Sequence, residues 1–513
     1  MRKWMPLLAV CLGTFMLLVD VTIVSVALPS MTDSLDTSFT SLQWVVDVYV
    51  LVLAALLMAL GSLSDIKGSR RVYLAGLAVF AVASLACGLA NSSEMLIAAR
   101  AVQGLGASAM FATNTALLAG NYEGRDRGIA FGLWGAVNGA AAAAGPIIGG
   151  LLTEHLNWRW IFLVNLPVAA VALFLGAKHL AGAATRPQSR LDLPGTLTFT
   201  LASTLLIYGL IRAGEDGWTA TGTLLLFGGT VAALLLFVLV ERGKRDPMLD
   251  LGLMRSPSFG GLMFGAAVFS AAAFANLVFV SVWAQSVLDL SPVKAGLILT
   301  PLSGMSFVAA GLAGRFLSNM PPHIPIGGGL LLIGAGSLLE MMVTGSSGWT
   351  ALLPGFIVTG IGVGIASPIL ASAALASAPA DRAGMAGGAA NTFRQLGFAL
   401  GIPAVAAIVS ATVTTRLEDS DLFRDADGAA ELVTAGQSSG ALAQVAADAR
   451  DAAGNVVEDA YAAGLDQAFL ASGVAALLAG VLVLLVVRPS AGAVPTQATD
   501  ASEVGEDRAL KSV

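Results

Sequence analysis

Fourteen apolar runs, each long enough to cross about 30 Å of hydrocarbon as a helix, recur along this chain and exclude nearly every soluble fold. They span 6–29, 44–64, 73–91, 95–118, 128–152, 160–180, 193–213, 220–241, 259–285, 293–316, 325–345, 350–375, 388–412 and 467–487. Composition agrees, since 12% of residues are charged where an ordinary soluble domain carries about a quarter. The first run follows Arg2 and Lys3, but it is too long for the apolar core of a signal peptide and holds Asp20 at its middle, so it reads as retained. The chain is expected to be an all-α polytopic membrane protein.

Lys and Arg set the orientation. With a cytoplasmic N-terminus the inner loops collect Arg2, Lys3, Lys67, Arg70, Arg71, Arg125, Arg127, Lys178, Arg186, Arg190, Arg242, Lys244, Arg245, Arg255, Arg315, Arg382, Arg488, Arg508 and Lys511. The outer loops keep only Arg159, Arg212, Lys294, Arg416, Arg424 and Arg450. An odd number of crossings would invert every later loop, so 14 transmembrane helices with both termini cytoplasmic are expected. The acidic stretch 413–466 is then external, with room for amphipathic helical pieces, and the polar tail 491–513 reads as disordered and cytoplasmic.

A faint internal repeat divides the chain. Gly104, Gly106 and Ser108 recur as Gly360, Gly362 and Gly364, an offset of 256, and Arg127, Gly128, Ala130 and Gly132 find an echo in Arg382, Gly384, Ala386 and Gly387. Six helices map onto six only if the runs 193–213 and 220–241 are inserted between the halves. The expected units are an N-terminal six-helix bundle at 1–180, two inserted transmembrane helices with a cytoplasmic linker at 181–258, and a C-terminal six-helix bundle at 259–490. Parallel six-helix repeats bind substrate between their halves near the bilayer midplane.

Within the first half, the stretch from Leu117 to Leu152 follows a charged loop with an apolar segment carrying Gly132, Gly135, Gly139, Gly145, Pro146, Gly149 and Gly150. Small residues let helices approach closely in lipid and a Gly-Pro pair loosens a helix at one point, so this reads as a packing and bending element. The loop residues Gly61, Leu63, Asp65, Gly68, Arg70 and Arg71 place an acid at a helix end beside cations, as a cytoplasmic charge lock would.

These residues resemble the signatures of the major facilitator superfamily: the Gly61–Arg71 loop its motif between helices 2 and 3, Arg100, Gln103, Gly104 and Gly106 a second motif, and the Gly-Pro-x-x-Gly-Gly ending at Gly150 its antiporter motif. The run from Asp20 through Thr22, Ile23, Val24, Val26, Ala27, Leu28 and Pro29, the trio Trp44, Asp47 and Tyr49, and the segment Trp158, Arg159, Trp160, Ile161, Phe162, Asn165 and Pro167 are similar to those of its fourteen-helix drug:proton antiporters. The resemblance covers roughly residues 5 to 410 and the last helix. It implies a major facilitator fold of two six-helix bundles plus two inserted helices. It also implies proton-coupled export of quaternary ammonium and other lipophilic cations across a bacterial inner membrane. The loop near Gly311, Gly314 and Arg315 lacks the acid and trailing basic cluster of its first-half counterpart, so no symmetric lock is expected there.

Charge inside a membrane is expensive and usually functional. Asp20, at mid-span, is the expected carrier of the exchanged proton, and a doubly charged substrate would engage Asp47, nearer the exterior. Arg100 lies too deep for a free charge and needs a carboxylate or carbonyl partner; the resemblance assigns it to proton coupling. Glu340 either binds cations or snorkels to the surface. Arg394, with Asn391 and Gln395, reads as a helix anchor. Trp134, Phe131, Asn138, Phe274, Asn276, Phe279, Trp283 and Gln285 offer aromatic and amide lining for a cavity.

His155, His179 and His323 sit in separate loops, Cys11 and Cys87 share no metal-ligand spacing, and no phosphate-binding loop or catalytic triad is evident. No enzyme, metal or cofactor is expected, and the proton gradient is the energy source. The expected partners are drugs, protons and the lipid bilayer, with no nucleic acid and a monomeric chain. Dedicated export of an endogenous antibiotic or lipid is the alternative, and nutrient symport a weaker one.

Overall fold

The computed structural model describes residues 2–35, 37, 39–182, 192–244, 247–317, 320–345 and 347–488, and their secondary structure is helical. The first half holds α1 (Met5–Leu35), α2 (Phe39–Lys67), α3 (Ser69–Gly88), α4 (Ser93–Asn121), α5 (Gly124–His155), α6 (Trp160–Leu163) and α7 (Asn165–His179). The inserted pair is α8 (Leu193–Asp216) and α9 (Thr221–Glu241), followed by the short α10 (Leu251–Met254). The second half holds α11 (Pro257–Ser286), α12 (Pro292–Ile298), α13 (Thr300–Phe316), α14 (His323–Glu340), α15 (Leu353–Ala376), α16 (Ala383–Glu418), α17 (Ala426–Thr434), α18 (Ser438–Ala443) and α19 (Arg450–Val486). The tail 491–513 lies outside the described residues.

Thirteen helices among the described residues are long and apolar enough to cross a membrane. The α5 helix is not among the thirteen, yet its 32 residues span about 48 Å at 1.5 Å per residue. It runs unbroken through Pro146, whose side chain lies outside the described residues.

Two expected spans are interrupted, each next to a proline. Pro167 cannot donate a backbone hydrogen bond one turn back to Leu163, and the helix breaks there into α6 and α7. Pro301 likewise denies Leu297 its partner between α12 and α13, and the Thr300 hydroxyl donates to that carbonyl instead, at 2.7 Å. At the turn from α2 to α3, Gly68 adopts φ 92°, a conformation that side chains disfavour.

The halves pack alike. In the first, α3 lies on α4, α2 on α4 and α1 on α5; in the second, α14 lies on α15, α13 on α15 and α11 on α16. The bundles meet along two seams, α2 against α16 and α5 against α13. A Cβ on Gly61 would lie 2.5 Å from the Gly384 carbonyl, and one on Gly132 would lie 2.7 Å from the Ala310 carbonyl, so both seams close on bare backbone. The inserted α8 covers the α2/α16 seam and carries α9 on its outer side. Asp192 accepts from Gly195 at the start of α8 and pairs with Lys244 beyond α9, while Asp250 pairs with Arg382 ahead of α16.

The acidic stretch 413–466 holds helical pieces, α17 and α18, as expected, and they are packed rather than open. Helix α16 runs on to Glu418, α19 begins at Arg450, and Leu417, Val433, Ala441, Val457 and Tyr461 form a shared core with α17 and α18. The apolar runs 388–412 and 467–487 are therefore the middle of a 36-residue helix and the C-terminal half of a 37-residue one. The outer turns of α19 carry Asp451, Glu458, Asp459 and Asp466, and the end of α16 carries Arg416 and Glu418, which lowers hydropathy without ending either helix.

Candidate functional site: a buried carboxylate–guanidinium node

Asp20 on α1 and Arg100 on α4 are both fully buried and form an ion pair, with Arg100 Nη1 2.5 Å from Asp20 Oδ2. The second carboxylate oxygen, Oδ1, accepts from Gln103 Nε2 and from Asn165 Nδ2, each at 3.0 Å. Arg100 also donates through Nε to the Val45 carbonyl at 2.8 Å and through Nη1 to Gln103 Oε1 at 2.8 Å, and its guanidinium carbon lies 4.0 Å from the centre of the Tyr49 ring. Ser84 Oγ receives the other Gln103 amide hydrogen at 2.8 Å. Helices α4 and α7 thus bond to the carboxylate of α1, and α2 and α3 join the node through Arg100 and Gln103. Arg100 Nη2 and the Tyr49 hydroxyl have no hydrogen-bond partner among the described residues.

Three donors around one carboxylate fit the ionised acid. A proton on Asp20 would turn one oxygen into a donor facing Arg100 N–H groups, so protonation and the ion pair exclude each other. The Asp20–Arg100 pair thus joins α1 to α4 through a single buried charge.

A second buried polar cluster lies further along α1. The Thr14 hydroxyl donates to its own helix at Val10, and accepts from Asn114 Nδ2 at 2.8 Å and from Trp134 Nε1 at 3.0 Å. Thr14 and Asn114 are uncharged and carried no weight in the sequence. Gln103, Asn165 and Tyr49 stood in motifs that resemble the family's, but an amide or phenol in an apolar run does not announce an ion-pair partner.

The other expected residues are placed separately. Asp47 is half-buried on α2. Glu340, buried at the end of α14, accepts from the Thr359 hydroxyl at 2.9 Å and belongs to the other bundle. It does not snorkel. Gly145 and Gly149 face α1 immediately beyond Asp20; a Cβ on Gly145 would overlap the Thr22 side chain. Gly135 and Gly139 face Pro368 and Ser303 of the second bundle, and Gly150 faces Val293. One helix therefore touches the node's helix on one face and the opposite bundle on the other. Among the lining candidates, Trp134 and Trp283 are buried, Asn138 bonds to its own helix and Gln285 is exposed. The Arg394 guanidinium is 5.1 Å from the Phe269 ring centre.

At the lock, the Asp65 carboxylate accepts from the backbone N–H groups of Gly384 at 2.6 Å and Met385 at 2.8 Å, the first turn of α16. The partner across the seam is thus a helix N-terminus, where the macrodipole favours negative charge. Arg70 donates to the Ala177 carbonyl at 2.5 Å and Arg71 is exposed. Nearby, Asn391 on α16 donates to the Phe111 carbonyl on α4 at 3.1 Å, a further hydrogen bond between the bundles.

Known proteins resemble this chain in sequence and in fold. The chain is 33% identical over 415 residues, 81% of it and 77% of the relative, to multidrug resistance protein Stp of Mycobacterium tuberculosis. It is 32% identical to the tetracenomycin C resistance and export protein of Streptomyces glaucescens, covering 94% of this chain and 91% of that one. It is 31% identical to the multidrug efflux pump LfrA of Mycolicibacterium smegmatis, covering 94% of each. Among solved structures, the human organic anion transporter MFSD10 superposes with a TM-score of 0.62 at 16% identity, covering 94% of this chain and 99% of that one. The profile of the Major Facilitator Superfamily matches residues 10–402, and with the two-bundle packing this establishes that the chain belongs to that superfamily.

Proposed function

We propose that the chain is a proton-coupled antiporter that exports lipophilic, cationic drugs or antiseptics across the bacterial inner membrane. The observation that carries this reading is the buried Asp20–Arg100 node, an acid that can hold either a proton or an ion pair at mid-membrane. The resistance and efflux roles named for its relatives support drug export. The tetracenomycin exporter among them favours a second reading, in which the cargo is one endogenous antibiotic.

In the proposed cycle a proton arriving at Asp20 displaces Arg100, which retains the Val45 and Gln103 oxygens and the Tyr49 face. Helix α1, released from Arg100 but still bonded to α4 through Thr14 and Asn114, shifts against Gly145 and Gly149 of α5, and α5 carries that shift to α13 across the seam. Each proton entering supplies about 2.3 kcal/mol per 100 mV, which a monovalent cation leaving consumes again, so at one proton per cation the pH gradient alone drives export. Asp47, half-buried and nearer the exterior, serves doubly charged substrates. In vesicles with an imposed pH gradient the wild type should pump ethidium, and Asp47→Asn should spare ethidium while weakening export of a divalent cation. No ethidium movement under the gradient would refute proton-coupled export, and equal losses for both cations would remove Asp47 from charge selection.

The proposed topology has fourteen crossings, α5 supplying the one beyond the thirteen, and cytoplasmic ends. The exposed Ser439, changed to Cys, should react with an impermeant maleimide from outside intact cells, and Cys at the exposed Lys67 should react only after lysis. Labelling of both from outside would overturn this orientation.

A further inference from the structure

We infer that the second bundle holds a degenerate copy of the Asp20 node in which Glu340 is a second proton-binding carboxyl, so that each exported cation is exchanged for two protons. This deepens the proposed antiport and rests on it.

The copy is visible in the packing. A Cβ on Gly106 would meet the Gly76 carbonyl and the Phe80 backbone nitrogen, and one on Gly362 would meet the Gly329 carbonyl and the Ile333 backbone nitrogen. Helix α15 thus lies on α14 as α4 lies on α3. Gln103 stands three residues before Gly106, and Thr359 three before Gly362; Cys87 follows Phe80 by seven residues, and Glu340 follows Ile333 by seven. The equivalent residues touch in both halves: Cys87 Sγ lies 3.7 Å from Gln103 Oε1, and Thr359 Oγ1 lies 2.9 Å from Glu340 Oε1. By the same register Phe356 replaces Arg100, and both are fully buried. Ser337 replaces Ser84, but its hydroxyl has no partner among the described residues. The second bundle has therefore kept the pocket, exchanged its cation for an aromatic ring and its thiol for a carboxyl.

Nothing around Glu340 neutralises a charge. No Lys, Arg or His lies within ion-pair distance among the described residues. Helices α15 and α11 and the turn Trp349–Leu352 contain no ionisable side chain, and His323 is at the far end of α14. From α19 the groups on the approach are the acids Asp459 and Asp466 and the phenol of Tyr461. Glu340 also ends α14, where the helix dipole opposes a negative charge. A carboxyl so placed is held as the neutral acid while it is dry and ionises when the α14–α15 end admits water. Since α14 ends on the proposed external side, that proton comes from outside.

Stoichiometry decides the matter. One ethidium cation leaving against two protons entering moves one net charge, whereas one against one moves none. Reconstituted wild type should therefore accumulate ethidium under a valinomycin-set potassium potential without a pH gradient, by about fifty-fold per 100 mV at the limit. Glu340→Gln should lose this potential-driven component yet still respond to a pH gradient, and Glu340→Asp should regain part of it. The inference is overturned by a Gln variant that keeps the wild-type response to potential, or by a wild-type reversal potential giving one proton per ethidium. The second measurement needs no variant. A wild type that answers neither gradient would instead refute antiport itself.

Discussion

Vesicles carrying Asp20→Asn will show no ethidium export under an imposed pH gradient, and purified Asp20→Asn protein in weak buffer will release fewer protons than the wild type when drug is added. The asparagine can still receive Gln103 and Asn165, but it cannot hold a proton in one state and an ion pair in the other. It also leaves the Arg100 guanidinium buried without its carboxylate, which costs about 3–5 kcal/mol when one partner of a buried pair is removed. Thermal stability in detergent should fall for that reason. A double variant, Asp20→Asn with Arg100→Gln, separates the two effects: removing the orphaned cation should restore much of the stability and none of the export. Recovery of proton-driven export in the double variant, or undiminished proton release from Asp20→Asn, would place the coupling carboxyl elsewhere.

Which parts of this were legible in the sequence depends on what kind of signal carried them. Asp20 and Arg100 stood out because a charge inside an apolar run is costly, and their pairing follows once both are seen to be buried. Gln103, Asn165 and Ser84 complete the node with neutral polar groups that hydropathy passes over. Their convergence depends on how α3, α4 and α7 pack, a long-range property of the fold. Glu340 was visible as a charge, but its match to Cys87 required the glycine contacts that put α14 and α15 in the register of α3 and α4. The outer turns of α16 and α19 were hidden because charged residues, Arg416 and Glu418 in one and a set of acids in the other, lower hydropathy where the helices leave the apolar layer. At the lock, the sequence offered cations beside Asp65. The structure adds the Gly384 and Met385 N–H groups, which belong to no side-chain pattern.

Those two N–H groups make the lock testable apart from the proton site. Asp65 holds the first turn of α16 only while the α2/α16 seam is closed at this end, so its charge-assisted hydrogen bonds favour the closed state over the open one. Asp65→Asn keeps the shape of the side chain but loses its charge at the helix N-terminus, at a cost of about 1–2 kcal/mol. With about 1.4 kcal/mol per tenfold, the open state should become roughly ten times more populated. A cysteine at Thr115, buried on α4 against Gly387 of α16, reports that population in a background where Cys11 and Cys87 are replaced. In inverted vesicles it should react with a maleimide about tenfold faster in the Asp65→Asn protein than in its parent. Export should slow because each cycle must close this seam again, while ethidium affinity in detergent should change by less than the labelling rate, since the Asp65 carboxylate is engaged by the α16 backbone. Unchanged labelling, or a loss of affinity that outstrips it, would mean that Asp65 acts on the substrate and not on the seam.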